Sequence, residues 1–305
     1  MSDETTPDTA SADPLDLGGV IPPTVTAFHD DESVDYETTA AHARYVVDRG
    51  VHGVFPLGTN GEFALLDADE QEGVVEAVVD EVGGEVPVIA GVGAPSTHHT
   101  VARAERAANA GADGLVVVTP YYYPVDETGV VEHYRRVADS VDLPIYVYHI
   151  PPRTGNALTH ETLDHLTDID AIAGVKDSSK DVPWLARAID EHPELVFLAG
   201  SDSLQFPGRR VGCTGGVSAV ANALPELLVD LHESYTADDI EHARECQSSL
   251  YRVREAFKGG PYLAGVKAAL SLRGFDAGPL RSPLRRMDDG EKSQLEATLG
   301  EEGLL

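Results

Sequence analysis

From residue 19 onward, short apolar runs alternate with segments whose apolar residues recur at helical spacing. The runs fall at 19–28, 52–58, 86–93, 114–119, 144–150, 171–176, 195–200 and 215–221, and they are rich in β-branched residues. A strand that is apolar along its whole length is covered on both faces, as parallel strands beneath helices are. Between the runs, Asp67 and Glu70 have the spacing of a capping box. Val74, Val75, Val78, Val79 and Val82 then share one helical face. Val101, Ala104, Ala108 and Gly111 form a second stripe behind a cap at Ser96 or Thr97, and Val130, Val131, Tyr134 and Val137 form a third. Thr159 or His160 opens a helix over 160–168, and Asp181 opens another over 182–191.

Eight strand–helix units in about 200 residues predict an α/β fold, a (β/α)8 TIM barrel with extra C-terminal helices. A doubly wound open sheet is the competing arrangement, but no G-x-G-x-x-G opens a helix after the first strand. The pattern divides the 305-residue chain into a disordered acidic tail at 1–17 and a barrel core at 18–223. Residues 224–305 supply the last barrel helix and a helical extension of the same domain. No linker separates a second domain.

Composition narrows the setting. Apolar residues make up 42% of the chain, enough for a sizeable core, and no apolar run reaches membrane-spanning length. The first residues lack the basic start and apolar stretch of a secretion signal, so a cytoplasmic location is expected. Acidic residues number 52 against 22 basic ones, a net charge of −30. That sign opposes binding to nucleic acid or an anionic membrane. The acids spread through most segments, and arginine outnumbers lysine 17 to 5. A salt-rich, halophilic cytoplasm accounts for this, because salt screens the repulsion between hydrated carboxylates. Cys213 and Cys246 read as small buried thiols without metal spacing. No cluster of histidine, cysteine and carboxylate marks a metal site, and a reaction without metal or cofactor is expected.

In a (β/α)8 barrel the reacting groups sit at the C-terminal ends of the strands and in the loops that follow. Lys176 ends the sixth run, after Ala171–Val175, while Lys180, Lys258, Lys267 and Lys292 fall in loops or on helices with polar faces. An ammonium in apolar surroundings loses solvation, and its neutral, nucleophilic form becomes accessible. Such an amine can form a Schiff base with a carbonyl. A lysine snorkelling into water beside Asp177 is the plainer alternative. After the second run, Gly58-Thr59-Asn60-Gly61-Glu62 can turn its N–H groups toward a carboxylate. An ordinary glycine turn would read the same way. Tyr121, Tyr122 and Tyr123 lie between prolines and cannot all face a core. At least one hydroxyl should reach a cleft or an interface. Tyr146 and Tyr148 share a face, with Tyr148 nearer the strand end, where a phenol can shuttle protons. Arg153 offers a fork for a carboxylate or phosphate, and His149 reads as structural. After the seventh run come Gly200-Ser201-Asp202-Ser203, and the eighth carries Gly215-Gly216-Val217-Ser218; the glycines there leave room for a ligand beside the lysine.

The ordered set GTNGE (58–62), TPYYYP (119–124), YHIPPRTG (148–155), GVKDSS (174–179) and KAALSLRGFDAGPLRSPL (267–284) resembles the dihydrodipicolinate synthase / N-acetylneuraminate lyase family of class I aldolases. The likeness runs from about residue 19 to about residue 290. It implies that Lys176 forms the Schiff base with pyruvate or the pyruvyl end of a keto acid. Tyr148 would then transfer protons, with Thr59 and Tyr122 completing a hydroxyl relay, and the amides of Thr59 and Asn60 would hold the substrate carboxylate. It also implies a homotetramer built from dimers, with the second aromatic of the relay lent by a neighbouring subunit. Asn60 departs from the hydroxyl residue of many members: its amide can donate but cannot relay a proton. Arg153 in its PPRTG setting is similar to synthases that condense pyruvate with aspartate semialdehyde. GEF (61–63), GSD (200–202) and LPE (224–226) are closer to aldolases of 2-keto-3-deoxy sugar acids. The resemblance therefore implies cleavage of 2-keto-3-deoxygluconate or its 6-phosphate to pyruvate and an aldehyde. The synthase, a sugar-acid dehydratase and a non-catalytic keto-acid-binding regulator are the alternatives.

Overall fold

The computed structural model describes residue 15 and residues 17–305. The expected tail therefore lies outside the described residues except for Leu15 and Leu17, and Leu17 is buried against Ile21, Phe55 and Ile89. Among the described residues, seven strands form one sheet: β1 (Gly19–Ile21), β2 (Ile89–Gly91), β3 (Gly114–Val118), β4 (Ile145–His149), β5 (Ile172–Asp177), β6 (Val196–Ala199) and β7 (Gly215–Val217). Their order is β1-β7-β6-β5-β4-β3-β2, and every pairing is parallel. Pairing of the first strand with the last curls the sheet around a central lumen.

The expected strand at 52–58 is corrected to a single parallel bridge between Val54 and Val88. Pro22, Pro23, Pro56 and Pro87 lie in this segment and its two neighbours. Lacking N–H groups, they cannot sustain a ladder. The same prolines trim the expected strands 19–28 and 86–93 to three residues each. The segment still bonds to both sides. His52 N donates to Val20 O (2.9 Å) and Phe55 N to Pro22 O (3.0 Å). On the other side, Val54 N donates to Pro87 O (2.9 Å), while Ile89 N and Gly91 N donate to Val54 O and Pro56 O (both 3.0 Å).

Helices cover the outer face. Asp67 and Glu70 form the capping box of the helix Ala68–Val82, which buries Val74, Val75, Val78 and Val82. Ser96, Thr159 and Asp181 cap their helices through side-chain oxygens, each satisfying an otherwise unpaired N–H. The helix after Ser96 ends at Asn109, so Gly111 lies in the turn beyond it with φ of +89°. Helices Pro225–Thr236, Ile240–Phe257, Tyr262–Leu272 and Asp289–Glu301 follow the sheet, and Leu250, Val253 and Phe257 share a core cluster with Val20 and Val54.

Period-two alternation sorts the strand residues. Leu115, Val117, Ile145, Val147, Val175 and Phe197 pack outward against the helices. Val116, Val118, Tyr146, Tyr148, Leu198 and Val217 fill the lumen. Gly174 takes a lumen position where a larger residue will not fit, since an added Cβ would lie 2.2 Å from Val196 O and 3.0 Å from the Tyr146 ring. Gly174→Ala is therefore expected to cost more than about 1 kcal/mol of stability. Chemical denaturation at constant molar KCl checks this, and an unchanged midpoint would contradict the packing.

Candidate active site

Register fixes the centre of the site. Tyr148 on β4 pairs with Lys176 on β5, and His149 pairs with Asp177. Alternation sends the first pair into the lumen and the second outward, beneath the helices. Lys176 is 3% exposed, and its Nζ lies 3.1 Å from the centre of the Tyr148 ring and 5.4 Å from that of Phe55. Burial pulls the Lys176 amine below its usual range. Tyr148 and Asp177 oppose that shift, and Arg153 adds to it. Burial alone would raise the Tyr148 phenol, but the Lys176 charge and hydrogen bonds with Lys176, Thr59 and Ser178 outweigh it and bring the phenol down. Tyr146, two residues deeper on the same face, is simply pushed up by burial. Of the two lumen phenols, Tyr148 alone has its proton affinity brought down.

Asp177 points away from the amine and is held elsewhere. Leu158 N donates to His149 Nε2 (3.2 Å), so the ring carries its proton on Nδ1 and donates it to Asp177 Oδ1 at 2.9 Å. Ser179 adds bonds to both carboxylate oxygens at 3.1 Å. His149 is thus structural, as expected, and Asp177 locks the end of β5 without neutralising Lys176 through contact.

A cavity of about 290 Å³ opens above the pair. It brings together Lys176, Tyr148, Thr59, Asn60, Arg153, Gly200, Ser201 and Val217. Gly58 does not line it: Gly58 lies behind the loop, where a Cβ would press on Phe55 and Pro23 at 3.1–3.2 Å. Tyr122 is also absent from the cavity. It is 82% exposed with φ of +79°, a conformation rare outside glycine. Its neighbour Tyr121 instead lines an adjoining cavity, also about 290 Å³, which shares Thr59, Tyr148, Ile150 and Arg153 with the first.

The loop that carries Thr59 and Asn60 is a 3-10 turn, Thr59–Gly61, anchored by the residue after it. Glu62 adopts φ of +54°, is 4% exposed and pairs with Lys267 at 3.0 Å. It also accepts from Arg281 N at 2.9 Å. The reading of Lys267 as lying on a polar helix face is therefore corrected: it is 6% exposed and donates to Pro279 O at 2.6 Å. Burial raises the Glu62 carboxyl and lowers the Lys267 amine, and their attraction opposes both shifts. Two of the sequence motifs, 58–62 and 267–284, meet at this pair.

Several lining residues escaped the strand-end reading: Ser178, Lys180, Arg254, Lys258 and Tyr262. The last three come from helices expected to pack outside the barrel. The signal for them was the scarcity of basic residues, which makes Arg254 and Lys258, one helical turn apart, stand out. Cys213 and Cys246 are buried free thiols, as expected. Cys246, His242 and Asp230 place their donor atoms within 4.8 Å of one another on the outer helices, as do Glu127, Glu161 and His165. None of these six lines the cavity beside Lys176. Among the described residues, no helix is long and apolar enough to cross a membrane.

Known proteins resemble this chain over nearly its whole length. The family described as "Dihydrodipicolinate synthetase family" matches residues 16–302. A protein of Halobacterium salinarum named as a DapA-like lyase is 69% identical over 299 residues, 98% of each chain. A 4-hydroxy-tetrahydrodipicolinate synthase of Methanopyrus kandleri is 38% identical over 292 residues, covering 95% of this chain and 97% of that one. Among solved structures, YagE of E. coli K12 in complex with pyruvate superposes with a TM-score of 0.91 at 32% identity, over 95% of this chain and 99% of that one.

Removing one member of the buried Glu62–Lys267 pair strands the other charge. Glu62→Ala is expected to cost about 3–5 kcal/mol. Thermal or urea unfolding at fixed salt measures it, and a loss under about 1 kcal/mol, the scale of a surface pair, would contradict the anchoring role.

Proposed function

The chain belongs to the dihydrodipicolinate synthetase family, and from that membership we propose a class I, pyruvate-dependent aldolase that cleaves a 2-keto-3-deoxy sugar acid to pyruvate and an aldehyde. The seven strands together with segment 52–56 are read as a closed (β/α)8 barrel, with residues 224–305 continuing the same domain. The carrying observation is the Lys176–Tyr148 pair, a buried amine with lowered proton affinity facing a phenol tuned the same way. An unpaired ammonium in the lumen would cost several kcal/mol, which favours the neutral nucleophile.

In the proposed cycle the Lys176 Nζ attacks the C2 ketone, and Tyr148 passes the proton that lets water leave and the imine form. The protonated imine draws the C3–C4 bonding electrons as the C4 hydroxyl loses its proton to the phenolate. The aldehyde departs, leaving an enamine. Return of the proton to C3, followed by attack of water at C2, frees pyruvate and the amine. Thr59 hands protons between Tyr148 and solvent, and the Thr59 and Asn60 amides hold the C1 carboxylate. An asparagine at position 60 suits the holding role and cannot relay.

Tyr122 completes the relay only across an interface. Its exposure beside Tyr123, next to an apolar cavity that reaches Tyr148, supports a second copy covering this face, in line with a homotetramer built from dimers. The second reading is the synthase. Arg153 lines both cavities, as a residue that orients a second carboxylate would, and a relative at 38% identity bears that name. The acidic surface supports work at molar salt in a cytoplasm.

Pyruvate with borohydride is expected to trap a covalent adduct on Lys176, seen by peptide mass, with none in Lys176→Ala. A trap on another residue, or none, would defeat the scheme. Because burial lowers the amine, the trapping rate should rise with pH and level off below 10.5, the ordinary lysine value. A rise continuing beyond that point would contradict the lowered amine. Tyr148→Phe should keep the adduct yet lose about 10²–10⁴-fold in pyruvate release, and unchanged turnover would remove the phenol from the mechanism.

A further inference from the structure

The outer wall of the cavity is basic in a protein that is otherwise acidic. Of 22 basic residues set against 52 acidic ones, Arg153, Lys180, Arg254 and Lys258 converge on this cavity in addition to Lys176. They come from three places: the short helix Pro151–Thr154, the loop after β5, and the helix Ile240–Phe257 with Lys258 at its C-cap. Lys180, Arg254 and Lys258 are close enough that the latter two help depress the Lys180 ammonium. That crowding raises the energy of the empty site and falls away when an anion enters.

The carboxylates beside this trio are already shared or committed. Glu255 Oε1 accepts from Arg254 at 3.1 Å and from Lys258 at 2.5 Å. Asp202 lies 3.8 Å from Arg254 Nε, but it also accepts from Ser218 Oγ at 2.7 Å, from Val220 N at 3.2 Å and from the Tyr262 hydroxyl. Asp202 therefore orients Arg254 more than it neutralises the wall. Three cations share two acids, and Arg153 adds a fourth positive charge.

We propose that Lys180, Arg254 and Lys258 form a subsite for a phosphate at the end of the substrate remote from its ketone, a claim that rests on the aldolase reading for the ketone's position. Arg153 alone provides the planar fork that suits a carboxylate. One guanidinium with two mobile ammoniums instead offers donors from several directions, as a tetrahedral dianion requires. Salt strengthens the argument. At about 1 M the screening length is only about 3 Å, so a single distant charge holds nothing and several contacting cations are needed.

The test uses inorganic phosphate and paired substrates on the full chain at fixed molar KCl. Calorimetry should find phosphate binding to the wild type weakened about tenfold or more in the double variant Lys180→Gln/Lys258→Gln, whose two side chains are surface-accessible. Glu255→Gln, which removes a competing carboxylate, should tighten it. In the wild type, kcat/KM for 2-keto-3-deoxygluconate 6-phosphate should exceed that for the free sugar acid, and the double variant should bring the ratio toward one. Equal phosphate affinity in wild type and double variant, or a ratio that the double variant leaves intact, would overturn the subsite. If neither sugar acid releases pyruvate while the calorimetric difference persists, the aldolase reading fails and the phosphate subsite stands.

Discussion

The register between β4 and β5 is the constraint on which the site depends. Parallel pairing sets Tyr148 opposite Lys176 and His149 opposite Asp177, and the two-residue period sends these pairs to opposite faces. A slip of one residue would put the carboxylate in the lumen and the amine among the helices. As built, Asp177 is occupied by His149 and Ser179 on the outer face, and the amine is left to a phenol.

The molecule holds an internal control for this argument. Lys176 and Lys267 are both almost wholly buried, and burial lowers both amines. Lys267 touches a carboxylate, Glu62, and anchors the loop carrying Thr59 and Asn60. Lys176 touches Tyr148. Desolvation is common to the two, so the partner sets them apart: a carboxylate makes a structural pin, whereas a phenol leaves the amine without a carboxylate to pair with. The pin also serves the site, since it fixes the loop that faces the amine.

Much of this was legible in the sequence because it is local. Strand periodicity, the helix caps at Asp67, Ser96, Thr159 and Asp181, and Lys176 with Tyr148 at strand ends all follow from neighbouring residues. What was missed depends on contacts distant in sequence. Prolines in three adjacent segments together reduced the strand at 52–58 to one bridge. Lys267 looked like a surface residue because its partner lies 205 positions away. Arg254, Lys258 and Tyr262 reach the cavity from helices that follow the last strand. Tyr122, exposed and in a left-handed conformation, turns away from the cavity of its own chain.

With only five lysines in the chain, each amine can be followed individually. Nuclear magnetic resonance of protein carrying ¹³Cε-labelled lysine, with Lys176 assigned from its loss in Lys176→Arg, would record the titration of that amine directly. The account predicts a Lys176 midpoint below the ordinary value of 10.5, moving further downward when Tyr148 is replaced by Phe, since the phenol's charge and hydrogen bond favour the protonated amine and their loss leaves burial less opposed. A midpoint at or above 10.5 in the unmodified protein would mean an ordinary ammonium and would contradict the account at its centre.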